Sequence, residues 1–114
     1  MRINIKALSV NNCWKGRRFK TKQYKGYEKE LLLKLPNKKV GKGKIALYII
    51  FGFSSKLSDI DNGLKPLIDI LQTRYKFNDR NVYRLVVEKQ IVKKGKEFID
   101  IKFTNIYDEG KPRK

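Results

Sequence analysis

Ile45-Ala46-Leu47-Tyr48-Ile49-Ile50-Phe51-Gly52-Phe53 is a nearly continuous apolar run, rich in branched and aromatic side chains. Such a run fits a strand covered on both faces, and it predicts the central strand of a small sheet. Downstream, Leu64, Leu67, Ile68 and Leu71 recur at i, i+3, i+4 and i+7, which predicts a helix over about 62–75. Pro66 sits near its start, where the N–H it lacks has no intrahelical partner, and Asp61 or Asn62 is placed to cap it. Two strand-like runs, about 82–92 and 97–106, flank Lys93-Lys94-Gly95-Lys96 and predict a closing hairpin.

Upstream of the central run, Lys38 to Lys44 reads as a lysine- and glycine-rich turn. Tyr24, Tyr27, Leu31, Leu32 and Leu35 form a helical stripe over 24–35, ended by Pro36-Asn37. In residues 2–8, Ile3, Ile5 and Ala7 alternate with Arg2, Asn4 and Lys6, the pattern of a half-buried first strand. Between them, Ser9 to Gln23 reads as a mobile basic loop broken by Gly16. The order β-α-β-α-β-β predicts an α+β (mixed α/β) fold with a mixed sheet of about four strands and two main helices. One domain over residues 1–106 is expected, with 107–114 a basic, flexible tail that lacks an apolar anchor.

The chain has 28 Lys and Arg against 11 Asp and Glu, a formal charge of +17, so self-repulsion is heavy unless a polyanion neutralises it. Nucleic acid is the expected partner. No apolar run approaches the about 20 residues that a membrane helix needs. The first ten residues do not form a signal peptide's hydrophobic region. These features predict a soluble, intracellular, cytoplasmic protein. One cysteine, Cys13, and no histidine leave the usual zinc sites without ligands and exclude histidine-based nuclease chemistry. Phosphodiester cleavage by such a chain would rest on aspartates holding divalent ions.

Asp59, Asp61, Asp69 and Asp79 are four of those eleven acids and fall close together, against the general pressure toward positive charge. If the backbone stays extended, Asp59 and Asp61 project to one side and can share a hard cation. A polar turn is the other reading: Asp61 caps the helix and Asp59 pairs with a nearby lysine. Asp69 lies four residues after Lys65, facing it across one helical turn, either as an ordinary ion pair or as a support for that lysine.

Asp59-Ile60-Asp61-Asn62-Gly63-Leu64-Lys65, then Asp69, then Asn78-Asp79-Arg80-Asn81-Val82 resemble the signature of the RusA family of Holliday junction resolvases. Asn11-Asn12-Cys13-Trp14 is similar to the family's asparagine-plus-aromatic motif, so the likeness extends from about residue 3 to 106. The resemblance implies that Asp59, Asp61 and Asp79 bind Mg²⁺, with Mn²⁺ able to substitute, and that Lys65 is the essential lysine. It also implies a homodimer that resolves four-way DNA junctions by paired nicks in recombination and repair, leaving 5′-phosphate and 3′-hydroxyl ends. Two departures stand out: Asn78 replaces the first of two adjacent acids, and Leu8-Ser9-Val10 replaces a proline-rich lead. A phage or prophage origin fits the resemblance.

The basic loop supplies candidate DNA contacts: Lys15, Arg17, Arg18, Lys20 and Lys22 for phosphates, with Asn11 and Asn12 beside them. Trp14 and Phe19 stack on an unpaired branch point or anchor the core. The competing functions are a non-catalytic nucleic-acid-binding module and a nuclease directed at flaps or forks.

Overall fold

The computed structural model of the chain describes residues 1–16 and 19–106, the Val10 side chain aside. The apolar run forms the nine-residue strand β4 (Ile45–Phe53). It lies between a parallel neighbour, β5 (Val82–Ile91), and an antiparallel one, β6 (Phe98–Asn105). With β1 (Arg2–Ile3) beyond β6, the mixed sheet runs β1-β6-β4-β5. Helices α1 (Lys22–Lys34) and α2 (Leu64–Tyr75) complete an α+β fold of the expected class.

The core follows from alternation in the strands. Leu47, Ile49 and Phe51 of β4 stand level with Phe103, Ile101 and Ile99 of β6. Their side chains share one buried cluster with Tyr24, Tyr27 and Leu31 of α1 and with Leu67, Ile70, Leu71 and Tyr75 of α2. A fully buried aliphatic side chain contributes about 1.5–3 kcal/mol relative to exposure, so this cluster holds both helices to the sheet. Tyr75 and Phe77 both meet the Phe103 ring edge-on, at 5.3 and 5.7 Å between centroids.

The expected closing hairpin is not formed, because the apolar strand β4 inserts between β5 and β6 and takes the backbone pairing of both. Several boundaries differ from expectation as well, for identifiable reasons. The first strand stops at Ile3, although Ile5 is still buried. Its register sets Arg2 against Asp100 and Ile3 against Ile99, and β6 begins at Phe98, so the partner strand runs out. Helix α1 begins at Lys22, earlier than the apolar stripe, because the Thr21 side-chain oxygen accepts the Tyr24 N–H at 3.1 Å. Helix α2 begins at Leu64 with Gly63 as its cap, so neither Asp61 nor Asn62 caps it.

The basic loop is structured where it is described. A 3-10 turn over Val10–Asn12 leads into a small hairpin of β2 (Trp14–Lys15) and β3 (Phe19–Lys20), paired antiparallel. Gly16, after β2, takes a left-handed φ of 70°, which glycine adopts without a Cβ penalty. The expectations for Arg17, Arg18 and the tail 107–114 lie outside the described residues.

Candidate functional site

Beyond the carboxyl end of β4 the chain turns three times before α2: Ser58 N–H donates to Ser55 O at 3.3 Å, Asn62 N–H to Asp59 O at 3.3 Å and Leu64 N–H to Asp61 O at 3.1 Å. The segment is therefore a turn, and the extended backbone that would align the Asp59 and Asp61 side chains is not formed. Asp59 accepts a hydrogen bond from Asn62 Nδ2 at 3.4 Å, and among the described residues no lysine bridges it. Both aspartates are exposed.

This turn forms one wall of a cleft of about 450 Å³. Asp59, Asn62 and Gly63 line it together with Phe53, Ser54, Ser55 and Ser58, as do the segment Lys6 to Ser9, Asn12 and Gln23. Two sequence motifs far apart in the chain, the asparagine pair and the aspartate turn, thus meet at one opening through Asn12 and Asp59. The position is the usual one for ligands of open α/β sheets, outside the carboxyl ends of strands. Here β4 has a parallel neighbour on one side and an antiparallel one on the other.

Glu97 also lines this cleft, and the sequence reading missed it. It lies in the connection between β5 and β6, where its Oε1 accepts the Gly95 N–H at 2.9 Å. Hydrogen bonds from its own backbone, from Ser54 and from Gly95, with the Lys6 charge, hold its carboxyl below the ordinary glutamate value. The only signal in the sequence was a lone acid after Lys93-Lys94-Gly95-Lys96.

Lys65 and Asp69 lie on the first turns of α2 and make the ion pair expected from their spacing, Nζ to Oδ1 at 3.1 Å. Lys65 keeps 63% of its side-chain surface exposed, so the ammonium is restrained but accessible. Asp69 also faces the 3-10 turn and α1. Burial first, and then the Asp69 charge, raises both the Cys13 thiol and the Tyr24 phenol, the latter to about 12.

Asp79 belongs elsewhere. It opens a short 3-10 turn, Asp79–Asn81, immediately before β5, and its N–H is bound by Gln72 Oε1 at 2.9 Å. Because β5 runs parallel to β4 with Val82 level with Ile45, Asp79 sits at the amino end of the strands, while Asp59 and Asp61 sit at the carboxyl end. The 12 residues of α2 separate the two ends by about 18 Å. One chain accordingly does not gather the three carboxylates. Among the described residues no group of three or more Cys, Asp or Glu side chains is close enough to hold a metal ion.

The candidate DNA contacts divide similarly. Lys15 and Lys22 are exposed, as are Asn11 and Asn12. Lys20 instead pairs with Glu28 at 3.1 Å and lies 5.2 Å from the Tyr24 ring centre. Trp14 and Phe19 are 44% and 71% exposed, so neither is a core anchor, although Trp14 meets Tyr24 edge-on at 5.8 Å.

No family model matches this chain, and no curated protein matches it. The fold and the cleft define an α+β domain with a strand-end opening of mixed polar and apolar lining beside a basic hairpin. Among the described residues no helix is long and apolar enough to cross a membrane.

Proposed function

We propose that the chain is a Mg²⁺-dependent, structure-selective DNA endonuclease that acts as a homodimer on four-way junctions, as its resemblance to the RusA family implies. The observation that carries this reading is the meeting of Asn12 and Asp59 at one cleft, in a chain of net charge +17. Asp59, which lines the cleft, would hold the ion there, with Asp61 of the same turn as a second carboxylate. When bound, such an ion supplies a nucleophile at neutral pH and neutralises developing charge. The chain's own groups do the remaining work. Lys65, steadied by Asp69, offers an ammonium to the attacked phosphate, and the exposed Lys15 and Lys22 contact neighbouring phosphates.

Asp79 enters this scheme only through a second chain. A two-fold partner running antiparallel brings the Asp79 end of one protomer to the Asp59 and Asp61 end of the other. That arrangement also matches the two symmetry-related strands of a junction.

The test is cleavage of a synthetic four-way junction beside matched linear duplex, with Mg²⁺ or EDTA, for wild type and Asp61→Asn. Paired nicks that need Mg²⁺ and are lost in the variant support the proposal. Junction binding without cleavage in Mg²⁺ or Mn²⁺ supports a non-catalytic nucleic-acid-binding module, the reading favoured by the scattered carboxylates of the single chain. Nicking of flaps or forks in preference to junctions would keep the chemistry and change the substrate.

A further inference from the structure

The two edges of the sheet are unequal. One is β1, only two residues long, whereas the other is β5, ten residues with neither proline nor glycine. Long, flat, apolar edges are avoided in monomeric proteins because their free N–H and C=O groups template pairing. Yet β5 exposes Tyr83 (65%), Leu85 (41%), Val86 (40%) and Ile91 (45%). We propose that β5 pairs antiparallel with β5 of a second copy of this chain, Val86 facing Val86 across the two-fold axis, to make one continuous eight-stranded sheet.

The backbone limits which registers are possible. Val92 N–H donates to Phe53 O at 2.8 Å, and β4 and β5 stay in uninterrupted register from Ala46 and Arg84 to Phe53 and Ile91. Strand alternation then turns the even-numbered residues of β5 toward β4 and leaves the N–H and C=O of Leu85, Val87, Lys89 and Ile91 pointing outward. Self-pairing must match outward residues with outward residues, which admits only two-fold centres on a residue. The side chains choose among these.

With Val86 at the centre, Leu85 and Val87 form the hydrogen-bonded pairs, and Arg84 stands opposite Glu88 twice, in the closer non-hydrogen-bonded positions. Moving the centre to Val87 sets Glu88 against Val86, and moving it to Leu85 sets Arg84 against Val86. Centres on Arg84 or Glu88 oppose like charges. Arg84 and Glu88 are exposed and, among the described residues, make no ion pair within the chain, so both are available across the joint. Lys89 does not compete for Glu88, because its ammonium is held by the Lys56 and Ser58 carbonyls at 3.3 and 2.8 Å.

The joint deepens the two-fold reading proposed above and supplies its antiparallel relation, but its test uses neither DNA nor cleavage. Light scattering of the full chain should give twice the 13.5 kDa chain mass at micromolar concentration. Arg84→Glu or Glu88→Arg alone should weaken the dimer by about tenfold or more, and the double variant should restore it. In mild oxidant, Val86→Cys should form a disulfide-linked dimer and Gln90→Cys should not, the native Cys13 being buried. A wild type that stays monomeric at 100 µM overturns the proposal. So does a dimer indifferent to the single reversals, a swap that fails to restore it, or a Val86→Cys chain that does not cross-link. A monomer that still nicks junctions would sink the joint while sparing the nuclease, and a dimer that never nicks would do the reverse.

Discussion

Glu97 illustrates how a single residue ties the cleft to stability. Its carboxyl is held below the ordinary value of about 4.3 by hydrogen bonds and by the Lys6 charge. A depressed folded-state pKa stabilises the protein above the unfolded value, and that contribution disappears as pH falls through the folded value. Glu97→Gln should therefore melt below wild type at pH 7, with the gap closing once the pH drops below about 4. A gap constant across that range in a thermal melting series would show that the glutamate acts without its charge. Gly52 makes a different demand. A Cβ there would run into the Phe98 ring, which is itself buried and covered by the Arg2 guanidinium 3.9 Å from its centre. Gly52→Ala should destabilise the fold by about 1–3 kcal/mol in urea titration. At this scale the sequence was a partial guide. The spacing of Lys65 and Asp69 announced their ion pair, whereas no spacing rule could bring Glu97 to Asp59, because that meeting depends on where two loops close over the sheet end.

Elements were most legible where periodicity and a single buried face coincide. The apolar run from Ile45 to Phe53 and the stripe through Leu67 and Leu71 each map onto β4 and α2. The aspartate turn was harder to read. Hydrogen bonds from Asn62 and Leu64 back to Asp59 and Asp61 curl the segment, and a two-residue spacing does not reveal whether the backbone is extended. The β2–β3 hairpin was hidden because two-residue strands carry no period. That hairpin presents Phe19 71% exposed and leaves Lys15 in solvent. Phe19→Ala should change stability by less than about 0.5 kcal/mol, as exposed substitutions do. If Phe19 stacks on an unpaired base, the same change should weaken junction binding by about 1–3 kcal/mol and leave linear duplex binding nearly unaltered. Fluorescence titration with both DNAs, beside a thermal melt, separates the outcomes. Equal losses on junction and duplex would remove the stacking role.

At the scale of the molecule, charge and topology have to be considered together. The net +17 gives the chain a long-range attraction for any polyanion but no preference for a particular shape. Shape must come from geometry, and the single chain offers its acidic residues at two separated ends, Asp59 and Asp61 at one and Asp79 at the other. The two-fold assembly proposed above would convert that separation into two equivalent composite ends, each flanked by a basic hairpin. The consequence is measurable without catalysis. Binding of wild type to a junction in Ca²⁺ or EDTA should fall linearly on a plot of log affinity against log salt, with a slope set by the phosphates neutralised. Replacing Lys15 and Lys22 by alanine removes two cations per protomer, hence four per dimer. The slope should then shrink by about four if both protomers bind one junction, and by about two if a lone chain does. A slope unchanged by the double replacement would move the DNA-binding face away from the hairpin altogether, because the phosphate contacts would then lie on lysines elsewhere on the surface.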